Sequence, residues 1–359
     1  IDSGELRDVL EAGISGITST PIIFEKAITY SSDYDQLLSS LMSQGMPVME
    51  IYQALVIDDI QRAADILMPI FELTAGKDGY VTMELNPALA FDAVGTIAEA
   101  RHVLALVNRS NVMIEIPATQ AGITAIEALT SDGVNVNATH IFSLNTYNQV
   151  AEAYLKGLQA YLESHSVWRQ TPASVASFSV SSIDELVDRQ LLRLERRDLL
   201  GKTAIALAKA VYVQFCERFS GPEWQKLERK GAKVQKPKWT RTTPRNFRYL
   251  DTYYVEALVG PDTVCTLSPS TLNAFRIHGH GANRLTKGID QSVTALSTLN
   301  ELGFDLEALG AELQESSLAD FTRYFTALIR CVSSKRGELE ESWRRMIVQP
   351  GHYGPATDQ

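Results

Sequence analysis

Two glutamates lie in strand-like segments and could do acid–base chemistry together. In Val81–Leu85 the apolar Val81, Met83 and Leu85 share one face, and Glu84 lies on the other. In Val112–Pro117, Ile114 and Ile116 share one face, with Met113 and Glu115 opposite. Neighbouring strands run about 4.8 Å apart, so on adjacent strands of one sheet Glu84 and Glu115 would face each other. Two carboxylates that close do not both ionise cheaply, and one keeps its proton to a raised pH. That suits a general acid–base pair. The same carboxylates suit a hard cation such as Mg²⁺. They equally suit a structural arrangement in which Glu115 meets an arginine or accepts hydrogen bonds and does nothing chemical.

Other chemistry-bearing residues say less. Cys216, Cys265 and Cys331 are too scattered for a disulfide framework or a zinc site. His278 and His280 lie in a Gly-rich stretch and show no carboxylate or cysteine partner in the sequence. Ser177 carries no sign of a Ser-His-Asp arrangement. No GxGxxG follows the first strand and no GxxxxGK[ST] occurs, so dinucleotide and P-loop readings are weak.

The elements that must hold these residues alternate along the chain. Strands are expected at Ile14–Ser19, Val81–Leu85, Val112–Pro117, Val136–Ser143, Ser174–Ser181, Lys236–Thr242 and Thr263–Ser268. Helical periodicity marks Asn145–Ser164, where Val150, Tyr154, Leu158 and Tyr161 recur on one side, and Ala88–Val107 is rich in Ala and Leu. Strand–helix alternation argues α/β with a parallel sheet. An eight-stranded barrel and an open doubly wound sheet both satisfy it.

With 359 residues and 45% hydrophobic side chains, the chain can bury one large core or two modest ones. A net charge of −10 argues against nucleic acid as a general partner. No apolar run reaches the roughly 18 residues of a membrane span, and no secretion signal is visible at Ile1-Asp2-Ser3-Gly4. Few cysteines fit a reducing, cytoplasmic compartment. Gly221–Arg248 is a basic stretch, expected to be a solvated helix and the loop after it, or else a local anion patch. The polar segment 339–359 is expected as a C-terminal extension after a domain at 1–338.

Several motifs resemble the transaldolase family. They are Gly16-Ile17-Thr18-Ser19-Thr20-Pro21-Ile22-Ile23-Phe24-Glu25-Lys26-Ala27-Ile28, Val81-Thr82-Met83-Glu84-Leu85-Asn86-Pro87 and Ile114-Glu115-Ile116-Pro117-Ala118-Thr119. Asn135–Ser143, Ser174–Phe178 and Gly260–Val264 continue the match. The resemblance runs from about Ser3 to Gly337. It implies a (β/α)₈ (TIM) barrel with its site at the carboxyl ends of the strands. It does not by itself imply the family's activity. The family's first strand, with its aspartate, is not in the sequence given, and a leader before Ile1 is expected to supply it.

Transaldolases move a three-carbon dihydroxyacetone unit between sugar phosphates through an imine on a fourth-strand lysine. Glu115 stands at that lysine's position, and a carboxylate forms no imine. Thr20 replaces a substrate-holding Asn, and Ser182 replaces a phosphate-binding Arg. Glu84, Asn137, Thr139 and Ser177 match family positions, the last a phosphate contact, and Arg245 stands where relatives carry a basic phosphate ligand. The resemblance turns Glu84 and Glu115 into the barrel. Arg241, read by alternation with Trp239, is expected inward as a replacement clamp with Arg245, or as a partner for a glutamate. The same alternation sends Lys238 outward. Lys26 belongs to the helix after the second strand, so neither lysine is expected to rescue the imine. His140, following inward Thr139, is expected to face the helices.

The expectation is therefore a diverged enzyme on a small, phosphorylated or plain metabolite, with Glu84, Glu115 and Thr139 as its catalytic groups. Lyase, isomerase and cyclase reactions stay open, with no required cofactor. Two alternatives remain. One is a non-catalytic relative binding a sugar phosphate or a protein partner. The other is an inactivated transaldolase of the pentose phosphate pathway. The family permits monomers and homodimers alike.

Overall fold

The computed structural model describes residues 4–164 and 170–348. Seven strands, Ile17–Thr18 (β1), Val81–Glu84 (β2), Val112–Pro117 (β3), Val136–Ile141 (β4), Ser174–Ser179 (β5), Gln235–Thr240 (β6) and Val264–Cys265 (β7), form one sheet. They lie side by side in sequence order, every pair parallel. The sheet curls: Lys238 on β6 donates a 2.9 Å hydrogen bond to Thr18 on β1, across the interior. A sequential parallel sheet curled on itself, with helices in its crossovers, is the (β/α)₈ barrel architecture expected, and the open doubly wound sheet is excluded. Among the described residues no strand joins β7 to β1.

The first helices are Glu5–Glu11 (α1), Pro21–Tyr30 (α2), Asp35–Ser43 (α3), Val48–Leu73 (α4), Ala93–Val107 (α5), Gln120–Ser131 (α6) and Leu144–Ser164 (α7). Ser181–Arg193 (α8), Thr203–Arg218 (α9), Gly221–Glu228 (α10), Tyr253–Ala257 (α11), Pro269–His278 (α12), Ile289–Glu301 (α13) and Leu306–Val348 (α14) follow. Local chemistry sets their ends. Asp92 caps α5 by accepting from Gly95 N, and Thr119 caps α6 by accepting from Gly122 N at 2.9 Å. A Cβ on Gly122 would lie 1.8 Å from Pro117 O, so only glycine lets α6 start this tightly after β3.

The barrel wall has two faces. Val81, Met83, Ile114, Ile116, Ala138, Ala176, Phe178 and Trp239 are buried in the main core with the helices. Inside, Met113 and Val175 join Phe71, Tyr80 and Ala173 in a separate apolar plug. Further along the same strands, toward their carboxyl ends, the inner positions turn polar. Across that end runs α14, whose Gln314 Nε2 donates to Ala118 O and His140 O, each at 2.9 Å.

Some expected boundaries change. The stretch from Ala88 splits into a 3₁₀ turn at Pro87–Leu89 and α5. The basic stretch Gly221–Arg248 contains α10 and then β6, which starts one residue before and ends two residues before the expected Lys236–Thr242. Residues 339–348 continue α14, and 349–359 lie outside the described residues. Folding also finds partners for two histidines: His278 Nε2 is 3.3 Å from Asp251, and His280 Nδ1 is 3.6 Å from Glu256. No described helix is long and apolar enough to cross a membrane.

Candidate active site

Strand register brings the acidic pair together. Glu84 is opposite Glu115, and Glu115 is opposite Asn137. Thr82 Oγ1 donates to Glu115 Oε1 at 2.5 Å. Ser177 Oγ donates to Asn137 Oδ1 at 2.7 Å, which fixes the amide. Asn137 Nδ2 then sits beside the Glu115 carboxyl and favours its charge, without completing a strict hydrogen bond. Glu84 Oε2 is enclosed and has no hydrogen-bond partner. A neutral carboxyl tolerates that far better than a carboxylate.

The third member is Lys238, and here the expectation is overturned. Lys238 points into the barrel, 5% exposed, with Glu115 at 7%. Its charge is felt by both glutamates. The error was one of phase. Trp239 is the side chain that packs outward, fully buried edge-on against Phe178. Its neighbour Lys238 must therefore face in. The usable signal was the polar alternation Lys236, Lys238, Thr240 against Pro237 and Trp239, which puts Lys238 level with Ser177 on β5.

The electrostatics divide the protons unequally. Burial, then the charge of Glu115, pushes Glu84 well above the usual carboxylate range, with Lys238 opposing. Burial also raises Glu115, but Lys238, Thr82 and Asn137 hold it down. Burial lowers Lys238, while Glu115 and Glu84 sustain its charge. Within the triad Glu84 thus holds its proton to a higher pH than Glu115, and the Lys238 amine is brought closer to its neutral, nucleophilic form.

Above the glutamates a narrow cavity of about 20 Å³ is lined by Glu84, Glu115, Asn86, Thr139, His140 and Phe321 among others. Phe321 comes from α14. His140 does not face the helices as expected. The ladder between β4 and β5 shifts between Ala138 and Ile141, and His140 takes a left-handed φ of 57°. Such a bulge re-aims one side chain against the alternation.

The remaining site residues divide. Thr139 lines the cavity, and Asn137 and Ser177 support Glu115. Thr20 precedes α2 and caps nothing with its side chain, while Ser182 is buried in the first turn of α8. Arg241 is not inward: it lies past the end of β6, exposed, at φ 52°. Arg245 is on the surface, 3.2 Å from Glu185. The expected two-arginine clamp is therefore not assembled. Among the described residues no group of three or more His, Cys, Asp or Glu side chains could hold a metal.

The sequence as a whole matches the family model described as transaldolase/fructose-6-phosphate aldolase over residues 1–331. The chain belongs to the transaldolase family. It is 39% identical to a transaldolase of Thiobacillus denitrificans over 331 residues, covering 91% of this chain and 92% of the relative. It is 38% identical to transaldolase 2 of Nostoc sp. over 350 residues, 93% and 92% of the two chains. A Neisseria gonorrhoeae transaldolase is 39% identical over 329 residues, 92% of each.

Proposed function

We propose that this transaldolase-family enzyme carries out imine-based aldol chemistry on a small ketose, with Lys238 on β6 as the amine. The observation that carries this reading is the buried Lys238 beside Glu84 and Glu115. A lysine enclosed in a low-dielectric site loses its proton more readily and becomes a nucleophile. Its Nζ attacks the ketone carbon, forming a C–N bond and a carbinolamine. Protonated Glu84 gives its proton to the departing hydroxyl, which leaves as water, and an iminium remains. Glu115 as carboxylate takes the proton of the hydroxyl next to the scissile bond. The C–C bond breaks, an aldehyde leaves, and the bonding pair moves into the iminium to form an enamine. Addition of a second aldehyde runs these steps backwards, and water then frees the amine.

One observation favours a second reading. The cavity is lined by Glu84 and Glu115 and not by Lys238. On that reading the glutamates transfer protons directly in an isomerase- or lyase-type reaction, and Lys238 only sets their charge. The ammonium then takes the place that Mg²⁺ would fill between two carboxylates. Borohydride reduction with dihydroxyacetone or fructose 6-phosphate separates the two. Imine chemistry gives a stable adduct on wild-type protein and none on Lys238→Met. Turnover that survives in Lys238→Met, with no adduct on either protein, would establish the second reading.

A further inference from the structure

His140 is a cavity group that the proposed chemistry leaves unused. It stands at the carboxyl end of β4, turned by the ladder shift and a φ of 57° toward the space above Glu84 and Glu115. Its backbone is fixed, because its carbonyl accepts from Gln314 of α14 at 2.9 Å. Its ring lies 5.9 Å from Phe321, tilted by 37°. Its Nδ1 is buried and has no hydrogen-bond partner in the protein. A buried, unpartnered ring nitrogen at a cavity wall costs free energy unless a ligand satisfies it. A left-handed conformation at a non-glycine residue adds its own cost, and such strain concentrates where side chains are aimed at ligands.

Burial, reinforced by Arg241, pushes the imidazole down to about 4, so His140 is neutral at physiological pH. The rest of the lining offers hydroxyl and amide groups at Thr96, Thr139 and Asn86, and no lysine or arginine. Two glutamates and a neutral imidazole make a poor seat for a phosphate dianion and a good one for hydroxyl groups. The groups that could have held a phosphate are elsewhere: Ser182 carries no charge, and Arg245 is paired with Glu185 on the surface. Arg241 acts on His140 from an exposed position outside the lining.

We infer that His140 is a substrate-binding residue that hydrogen-bonds a hydroxyl of an uncharged polyhydroxy chain, and that the cavity selects unphosphorylated over phosphorylated sugars. This names the substrate class for the site proposed above and rests on that reading for its chemistry. Its test does not, because a polyol without a carbonyl cannot form an imine. Sorbitol and sorbitol 6-phosphate are titrated into the wild-type protein, with the histidine ¹⁵N shifts followed by NMR. Sorbitol should move the His140 ring resonances, and the 6-phosphate should bind no tighter than sorbitol. Glycine accepts the left-handed backbone, so His140→Gly should fold with an unchanged far-ultraviolet spectrum and lose about tenfold in sorbitol affinity. A 6-phosphate that binds tenfold tighter than sorbitol would overturn the inference and restore an arginine clamp at Arg241. Unmoved His140 resonances at saturation, or equal sorbitol affinity in folded His140→Gly, would also overturn it. Neither result would touch the imine, which only borohydride trapping reads.

Discussion

Replacing Lys238 by methionine removes one buried cation and keeps the side-chain volume. Glu115 then loses the ammonium that helps to hold its charge, while Thr82 and Asn137 remain. In the variant Glu115 avoids a buried, unpaired charge by taking up a proton. An unfolded glutamate ionises near pH 4.3, so holding that proton in the folded state at pH 7 costs about 1.36 × 2.7, or ~3.7 kcal/mol. That matches the ~3–5 kcal/mol typical of breaking a buried pair. The sign follows from proton counts. The proton on Glu84 is common to both proteins, but above about pH 4.3 the folded variant holds one more on Glu115, so its stability falls relative to wild type as pH rises, by ~1.4 kcal/mol per unit. Urea denaturation from pH 5 to 8 should therefore show a gap between wild type and Lys238→Met that widens with pH. Adding Glu115→Gln to Lys238→Met should recover most of the loss at pH 7. A small gap that does not depend on pH would refute the interior ion pair and the orientation of Lys238 with it.

Elsewhere, Asp184 is fully enclosed, accepts from Ala204 N and Tyr254 Oη, and is raised by burial to about 7. A raised carboxyl makes the protein lose stability as pH rises from about 4 to 7, by at most ~1.4 kcal/mol per unit. Asp184→Asn should flatten that part of the stability–pH curve, and an unchanged slope would exclude Asp184 as its source. Gly122→Ala drives a methyl into Pro117 O, 1.8 Å from the ideal Cβ position, and should cost more than ~2 kcal/mol in urea denaturation. A near-neutral result would mean that the start of α6 is free to shift, so that Gly122 is not what fixes it.

How much of this was readable depended on which rule governed each residue. All seven strands were expected close to where they lie, and β3 keeps its expected ends, its apolar residues broken only by Glu115 and closed by Pro117. β1 and β7 shrink to two residues each, since an outermost strand has a ladder partner on one side only. Glu84 and Glu115 were legible because their apolar neighbours fixed which face packs on helices. The same rule applied to β6 would have turned Lys238 inward. Reading Trp239 as an interior residue instead reversed the phase of the strand and carried Arg241 with it. His140 lay beyond any periodic rule, because a ladder shift and one left-handed residue are local departures that alternation does not encode. Nor could sequence spacing show α14 crossing the strand ends, which is a contact between segments almost two hundred residues apart.

The most direct measurement is borohydride trapping with dihydroxyacetone, followed by proteolysis and mass mapping of the modified lysine. The expected result is a single reduced adduct on the peptide containing Lys238, absent from Lys238→Met. An adduct on a different lysine, or turnover without any adduct, would contradict the assignment of the amine to β6.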